Sequence, residues 1–357
     1  MGPILPARGR RRPPTGPHRR PYLHDVRAAT VSTADRPGSQ RERRGYTRGE
    51  NLGEGGGNVA TYVMTGGSSG FGARAAARLA EAPNARVIVG ARSPADPADA
   101  LDLTRLDSVR TFAASVRERL GNSRIDGLVL NAGGIRADAD GRTPEGYETT
   151  FVLNHLGHYL LVRLLLPVLA ERSRIVLTTS GTHDPATKAG LAVPRHADAH
   201  LLAHPDRDPD RDARPRRAGQ HAYTAAKLCT ILNARSLRSR PELRDRAATV
   251  IAYDPGQVFG TGLARDLPAG MRVAWSVLGT GLGAPLRRLQ PTLNTAAAAG
   301  GALTELAGGS HPAPDERGYA ALRSGRLSWL DPSTLAVRDD LADSLWTDSA
   351  RLVGLAA

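Results

Sequence analysis

Two residues one helical turn apart have side chains suited to proton transfer. Tyr223 precedes Lys227 by four positions in AYTAAKLC, at the start of a predicted helix over 222–237. Residues i and i+4 of a helix share one face, so the phenol and the ammonium are expected to face one cleft. A free tyrosine has a pKa of about 10, and we expect the ammonium to lower it toward the range of a general acid or base. The chain has only two lysines, Lys188 and Lys227, although arginine is abundant.

A glycine-rich turn, TGGSSGFG, joins the first predicted strand to the first predicted helix. Glycines permit a tight turn, and the helix N-terminus behind them offers N–H groups to a phosphate. Alone, such a turn is often merely structural, but its placement between strand and helix favours a dinucleotide site. The candidate cofactor contacts in this turn are Thr65, Gly66, Ser68, Ser69, Gly70 and Gly72.

The end of the second predicted strand, VGARS, bears on the choice of cofactor. NAD sites of this kind usually carry an acidic residue there to bind the ribose 2′-hydroxyl. Ala91 and Arg92 stand in that place instead. Arginine is a good partner for a 2′-phosphate, although a solvated surface arginine is a serious alternative in this chain. The missing acid is the stronger argument, and we expect NADP(H), with NADPH favoured over NADH.

Turn-forming residues also stand at or after predicted strands. Asp102 and Leu103, in LDLT, are candidates to contact adenine through the Asp102 carboxylate. Asn131, Ala132 and Gly133 are candidates to pack against the ribose. Each residue alone is typical of an ordinary turn. They indicate a cofactor site only because they occur in a fixed order along the chain, between the glycine-rich turn and the pair Tyr223 and Lys227.

These motifs stand on strands and helices that alternate from Val59 onward. The strands are continuous apolar runs, which is typical of a parallel sheet covered by helices on both faces. Ligands of such sheets bind beyond the carboxyl ends of the strands. We predict strands at 59–67, 85–92, 125–134, 173–180 and 248–256, and helices at 73–82, 108–120, 154–169 and 222–237.

The formal charge of +13 is concentrated near the N-terminus, where residues 1–58 hold twelve arginines against five acidic residues. This stretch is rich in Pro and Gly and has too little apolar surface to offset its ordering entropy, so we predict a disordered tail. It is either inert or an electrostatic tether. Interleaved aromatics and a recognisable nucleic-acid module are missing, so a nucleic-acid partner is not expected.

Other composition features exclude further classes. The single cysteine, Cys229, excludes an internal disulfide and a multi-cysteine metal site. The histidines at 183, 196, 200, 204 and 221 lack tight ligand spacing, so no metal is expected. A continuous run of ~18 apolar residues, as a membrane span requires, is absent. An apolar segment after the basic N-terminus is also missing, which makes the cytoplasm the expected location.

Taken in order, the motifs resemble the short-chain dehydrogenase/reductase family over roughly Val59 to Ala307. The matching positions are Thr65-Gly66-x-x-x-Gly70-x-Gly72, Asn131-Ala132-Gly133, Asn154 in NHLGH, Ser180, Tyr223-x-x-x-Lys227 and Pro255-Gly256. The resemblance implies an α/β fold with a Rossmann-type doubly wound parallel sheet, as a single domain over 59–357. It also implies a catalytic tetrad, which maps onto Asn154, Ser180, Tyr223 and Lys227.

The resemblance implies a role for each tetrad member. Tyr223 would be the acid or base on the substrate oxygen, and Ser180 a hydrogen-bond donor to that oxygen. Lys227 would anchor the ribose and adjust the tyrosine pKa, and Asn154 would hold a proton-relay water. The implied function is NADPH-dependent hydride transfer to or from a carbonyl, an alcohol or a conjugated alkene. The alternative is a non-catalytic NADP(H) sensor, because fold alone does not fix activity; the intact tetrad favours the enzyme.

Some features depart from the commonest family pattern. Ser180 and Tyr223 are unusually far apart, and we interpret residues 182–220 as an inserted polar loop that shapes substrate access. Extra chain here and a cysteine two positions after the lysine make the sequence similar to protochlorophyllide reductases and to retinol-dehydrogenase-like enzymes. Pro255, Gly256 and Thr261 are further candidate cofactor contacts. Thr261 departs from the family pattern, because it lies one residue farther after Pro255-Gly256 than the usual threonine. We expect residues 262–290 to form a lid over a small apolar substrate. The sequence does not decide the oligomeric state, and a homo-oligomer is one of the alternatives.

Overall fold

A computed structural model describes residues 59–258, 290–314 and 318–356 of the chain. These residues belong to one compact unit, Gly56–Ala357. The predicted tail, residues 1–58, lies outside the described residues, as do Thr261 and nearly all of the predicted lid.

A seven-stranded sheet in the order β2-β1-β3-β4-β5-β8-β9 forms the centre of the fold. All neighbouring strands are parallel except β9, which runs antiparallel to β8. A short parallel pair, β6 and β7, lies apart from this sheet. The strands are β1 Ala60–Thr65, β2 Ala85–Gly90, β3 Ile125–Leu130, β4 Leu169–Thr178, β5 Thr249–Asp254, β6 Gln257–Val258, β7 Leu293–Asn294, β8 Tyr319–Arg323 and β9 Arg326–Trp329.

The strand order reverses between β1 and β3. The chain moves outward from β1 to β2 and then crosses back to β3 on the other side of β1. Crevices at such reversal points bind ligands in doubly wound sheets. The predicted Rossmann-type fold is confirmed, while β8 and β9 were not predicted from the sequence.

Helices cover both faces of the sheet. The α-helices are α1 Gly70–Ala80, α2 Leu106–Leu120, α3 Thr149–Phe151, α4 Gly157–Leu165, α5 Ala199–Ala203, α6 Pro215–Arg238, α7 Pro241–Arg244, α8 Ala296–Gly308 and α9 Asp339–Leu352. A π-helical segment, Val152–Leu156, joins α3 to α4. Single 3₁₀ turns lie at Pro97–Asp99, Leu166–Val168, Gly181–His183, Pro185–Thr187, Pro205–Arg207 and Thr334–Val337.

The continuous apolar strands supply two cores. Val63 and Leu128 face the layer that contains α2, α4, α6 and α9. Their chain neighbours Met64 and Val129 face the opposite layer, which contains α1 and α8. Successive strand residues point to opposite faces, so a strand buried on both sides must be apolar at every position.

The helical segment Thr149–Val168 lies in the centre of the first layer. Among the described residues it alone is long and apolar enough to cross a membrane, but 72% of its apolar window is buried inside the protein. This burial is the pattern of a core helix. The segment packs against the strand ends that hold the candidate site, since His158 in this segment contacts Thr65 at the end of β1.

The predicted insertion, residues 182–220, is folded rather than an irregular polar loop. It contains α5 and two 3₁₀ turns, Pro185–Thr187 and Pro205–Arg207, and its last residues form the first turns of α6. Leu202 is only 4% exposed and belongs to the main core. An ion pair of 2.5 Å joins Arg211 to Asp140. The interpretation of this segment as a polar loop therefore missed its inward apolar side chains, because charged residues on its outer side dominate the composition.

We expect Leu202→Ala to lower the free energy of unfolding by about 2–5 kcal/mol, as other buried leucines do when truncated. Val193, in the same insertion, is 49% exposed, so Val193→Ala is the matched control and should change stability by no more than about 0.5 kcal/mol. Chemical denaturation measures both. Equal small effects would show that the insertion does not contribute to the core.

Candidate active site

The carboxyl ends of β1, β3 and β4 are tied together by side-chain hydrogen bonds. Asn131, just after β3, donates from Nδ2 to the Gly66 carbonyl at 3.3 Å. Its Oδ1 accepts from the Thr178 hydroxyl at the end of β4 at 2.9 Å. The Thr65 hydroxyl, at the end of β1, accepts the backbone N–H groups of Asn131 and Ala132. These bonds fix the edge of the sheet at which the strand order reverses.

The glycine turn is shaped to approach a ligand closely. Gly66 has φ +69°, and a Cβ on it would lie 2.7 Å from the Ala132 nitrogen, so a larger residue would be strained there. Ser69 is the N-cap of α1 but makes no side-chain cap, so its hydroxyl does not occupy the first helical N–H groups. Ser68 and Ser69 are exposed beside them. This cradle of donors fits the pyrophosphate of a nicotinamide dinucleotide.

His158 is a site residue that sequence reasoning missed. Its Nε2 lies 2.9 Å from the Thr65 hydroxyl. Because that hydroxyl already accepts two N–H groups, its single proton goes to the histidine, and Nε2 is the acceptor. Burial lowers the pKa of His158 to about 3, and the charge of Lys227 acts in the same direction. His158, the second histidine of NHLGH, is therefore neutral and supports Thr65, the residue before the glycines of the turn.

Asn154 lies in the π-helical segment between α3 and α4. Its Nδ2 donates to the carbonyls of Gly134 and Thr150, both at 2.8 Å. Its Oδ1 accepts the Gly134 N–H at 3.2 Å. A Cβ on Gly133 would lie 2.7 Å from this Oδ1 and 3.2 Å from Lys227 Nζ. The Asn-Ala-Gly turn thus packs between two members of the predicted tetrad, and π-helical turns are frequent at functional sites.

Lys227 is buried in the middle of α6 and only 4% exposed. Its Nζ donates to the Thr178 carbonyl at 3.1 Å, while its own carbonyl accepts the Thr179 hydroxyl at 2.7 Å. Burial lowers the pKa of Lys227 to about 8, and the negative charge of Asp254 opposes that shift. Lys188, by contrast, is exposed.

Tyr223 and Ser180 come together as the predicted tetrad requires. Tyr223 is buried, and its ring centroid lies 5.7 Å from Lys227 Nζ. The Ser180 hydroxyl, which accepts the Thr182 N–H at 3.3 Å, lies close enough to the Tyr223 hydroxyl to act on its pKa. Burial raises the pKa of Tyr223 to about 12, although the Ser180 hydroxyl lowers it. The expectation that Lys227 lowers the Tyr223 pKa is therefore wrong, because burial raises this pKa and the negative charge of Asp254 raises it further.

The predicted adenine contacts lie beyond the end of β2. Ala91 pairs with Ala100 in an isolated bridge, which brings Arg92 and Asp102 to the same edge. Arg92 is exposed, whereas Leu103 is buried. The Asp102 Oδ1 accepts the Thr104 N–H and hydroxyl. One carboxylate oxygen is thus committed to the local turn.

The remaining predicted residues divide between the site and its surroundings. Pro255 and Gly256 follow β5 at the same edge of the sheet, and Gly256 has φ +69°. Thr261 lies outside the described residues. Cys229 is buried within the main core, and burial raises the pKa of its thiol. In this position Cys229 packs as a small apolar group.

A parallel α/β sheet with a glycine turn at its reversal point and a buried Tyr-Lys pair defines a dinucleotide-binding protein of the Rossmann type. The short chain dehydrogenase family matches residues 60–190. Human Dehydrogenase/reductase SDR family member 13 is 32% identical over 324 residues, covering 83% of this chain and 73% of the human protein. The chain therefore belongs to the short-chain dehydrogenase/reductase family, as the motifs indicated.

Two further similarities support this assignment. Protochlorophyllide reductase A from Oryza sativa subsp. japonica is 32% identical over 231 residues, which cover 57% of this chain and 59%, less than two thirds, of the rice protein. The crystal structure of an uncharacterized protein from Mycobacterium Paratuberculosis is 26% identical with a TM-score of 0.57, covering 83% of this chain and 94% of that chain. The predicted likeness to the protochlorophyllide reductases is thus confirmed.

Proposed function

We propose that the protein transfers a hydride between NADP(H) and a carbonyl or alcohol, or a conjugated alkene, of a small apolar molecule. The observation that carries the proposal is the buried Tyr223 side chain, which lies beside Ser180 and one helical turn from Lys227, with the ring centroid 5.7 Å from Lys227 Nζ. Family membership supports oxidoreductase chemistry, and this geometry supports a site for proton transfer to a substrate oxygen.

Each side chain has a distinct part in the proposed reaction. The bound nicotinamide would supply or accept the hydride. The Tyr223 phenol, with its pKa raised to about 12, is protonated at neutral pH and donates its proton to the substrate oxygen in the reducing direction. The Ser180 hydroxyl orients that oxygen. The Lys227 ammonium lies 5.7 Å from the Tyr223 ring centroid and places a positive charge beside it. The same ammonium would donate a hydrogen bond to the nicotinamide ribose.

Asn154 and the strand ends hold this arrangement. The Asn154 amide fixes the turn at Gly134, and it is the proposed holder of the relay water. Thr65, Asn131 and Gly66 line the cradle for the dinucleotide. These contacts hold the side chains of the site in defined positions relative to one another.

A substrate screen with purified protein tests the proposal. NADPH oxidation is followed at 340 nm with aldehydes, ketones, quinones and conjugated alkenes, and we expect turnover with at least one class. NADPH binding without any turnover across the four classes would contradict the proposed activity and favour a nucleotide sensor. The Tyr223→Phe protein is the blank for each substrate.

Arg92→Ala tests the cofactor preference. We expect the Kd for NADPH to rise about 10-fold or more, because a guanidinium–phosphate contact is lost, and the Kd for NADH to stay nearly constant. Fluorescence titration measures both. Arg105, an exposed arginine paired with Asp107, supplies the matched control Arg105→Ala, which should affect neither cofactor. Equal losses for NADPH and NADH in Arg92→Ala would show that Arg92 does not bind the 2′-phosphate.

A further inference from the structure

A buried carboxylate lies beside the proposed catalytic group without a part in the proposed reaction. Asp254, the last residue of β5, is only 1% exposed. Its Oδ2 accepts from Arg323 at 2.8 Å and from the Tyr319 hydroxyl at 3.3 Å, both on β8. Its Oδ1 accepts the Gly256 N–H at 2.9 Å. A buried charge held by three donors is a built feature, because burying an unpaired carboxylate would be costly.

The same carboxylate packs against the turn that carries Ser180. A Cβ added to Gly181 would lie 3.0 Å from Asp254 Oδ2, so the carboxylate sits directly beneath the residue that follows the serine. His183 closes the other side of this turn, since its Nδ1 lies 2.8 Å from the Ser180 carbonyl and its Nε2 accepts a backbone N–H. Asp254 therefore connects β5 and β8 with the serine turn after β4.

The charge of Asp254 also acts on the two residues of α6 that face the site. It raises the pKa of Lys227 and that of Tyr223, each of which burial shifts most strongly. In both residues the negative charge favours the protonated form. Lys227 and Asp254 also lie at the same pair of strand ends, because Lys227 Nζ donates to the Thr178 carbonyl at 3.1 Å and the next N–H, that of Thr179, donates at 2.8 Å to the carbonyl of Tyr253, the residue before Asp254. Asp254 is thus the anion that opposes the burial penalty of the ammonium.

We propose that Asp254 is a positioning residue of the active site. Its carboxylate supports the turn that carries Ser180 and supplies the negative charge that stabilises the buried Lys227 ammonium. Arg323 fixes the carboxylate and moderates its charge. This inference rests on the proposed function for its catalytic meaning, but the electrostatic link itself can be measured without turnover.

The two lysines of the chain make the measurement direct. Protein labelled with ¹³C-lysine gives two Cε signals, one from buried Lys227 and one from exposed Lys188, which serves as the internal reference. Titration by NMR should show the Lys227 pKa lowered by about half a unit or more in Asp254→Asn, because the anion is lost. Arg323→Gln should raise it, because the same anion is then no longer moderated. The Lys188 signal should titrate identically in all proteins.

The opposite signs separate charge from structure. Asp254→Asn removes the charge and keeps the shape of the side chain. Arg323→Lys keeps the positive charge at position 323, so Lys227 should titrate in that protein as it does in the wild type. Shifts of the same sign in Asp254→Asn and Arg323→Gln, or no shift in either, would overturn the proposal. If Asp254→Asn does not fold, Asp254→Ala takes its place, and an unshifted Lys227 titration in that protein overturns the proposal.

A kinetic measurement then tests the catalytic meaning. Where wild-type protein reduces a substrate, the alkaline limb of kcat/KM should move to lower pH in Asp254→Asn, because the protonated tyrosine and lysine persist over a narrower range. An unmoved limb together with a shifted Lys227 titration would refute the positioning role while leaving the proposed reaction intact. A wild-type protein without turnover would refute the proposed function and leave the NMR result to stand by itself.

Discussion

Tyr223→Phe should reduce kcat/KM by about 10²–10⁴-fold, the usual contribution of a positioned acid or base. The substitution removes the hydroxyl that lies beside Ser180 and keeps the ring that fills the buried position. We therefore expect NADPH to bind with nearly unchanged Kd. Steady-state kinetics and fluorescence titration measure the two quantities on the same preparation.

Tyr159→Phe is the matched control for that variant. Tyr159 is fully buried, and its hydroxyl donates to the Trp346 carbonyl at 2.9 Å in the packing of α4 against α9. Losing that hydroxyl should cost about 1 kcal/mol of stability and leave turnover unchanged. Near-normal turnover in Tyr223→Phe would remove the tyrosine from the mechanism, and equal losses in both variants would indicate general damage.

Lys227→Arg is expected to lower kcat/KM and NADPH affinity together, with the rate falling on the order of 10²-fold, as displaced catalytic groups do. The charge is conserved, so the cause is shape. Nζ lies 3.1 Å from the Thr178 carbonyl, and a Cβ on Gly133 would approach it to 3.2 Å. A planar guanidinium is larger than an ammonium and cannot occupy that space without moving its neighbours.

Lys188→Arg controls for the chemistry of the substitution. Lys188 is exposed and stands outside the buried cluster, so its replacement should change neither turnover nor binding. Wild-type kinetics in Lys227→Arg would mean that the site requires only a positive charge. In that case the retention of lysine in an arginine-rich chain would have another cause.

Much of the fold follows from local patterns. The first five strands of the large sheet were predicted because each is a continuous apolar run that ends in a residue suited to a turn, and such runs need burial on both faces. The strands β8 and β9 were missed because they are short and end in arginines or bear polar residues. Only their pairing with β5 and with each other makes them strands.

The candidate site was also predictable in its chemistry. The i, i+4 spacing placed Tyr223 and Lys227 on one face, and the family resemblance added Ser180 and Asn154. Their proximity in the structure agrees with that grouping, while their catalytic roles stay predictions until the substitutions are made. The insertion was misread because composition reports the charges of Arg211 and Asp208 but not which residues of the same segment face the core.

Sequence by itself determined the family, the sheet and the candidate groups for proton transfer, since each depends on residue type and near spacing. Only the tertiary structure decided their electrostatics. Whether the Tyr223 pKa rises or falls depends on the competition between solvent loss and nearby charges. Arg323 and Asp254 are far apart in the chain and meet because β8 pairs with β5. Burial and long-range pairing are properties of the assembled fold, so no local pattern could reveal the anion beneath Ser180.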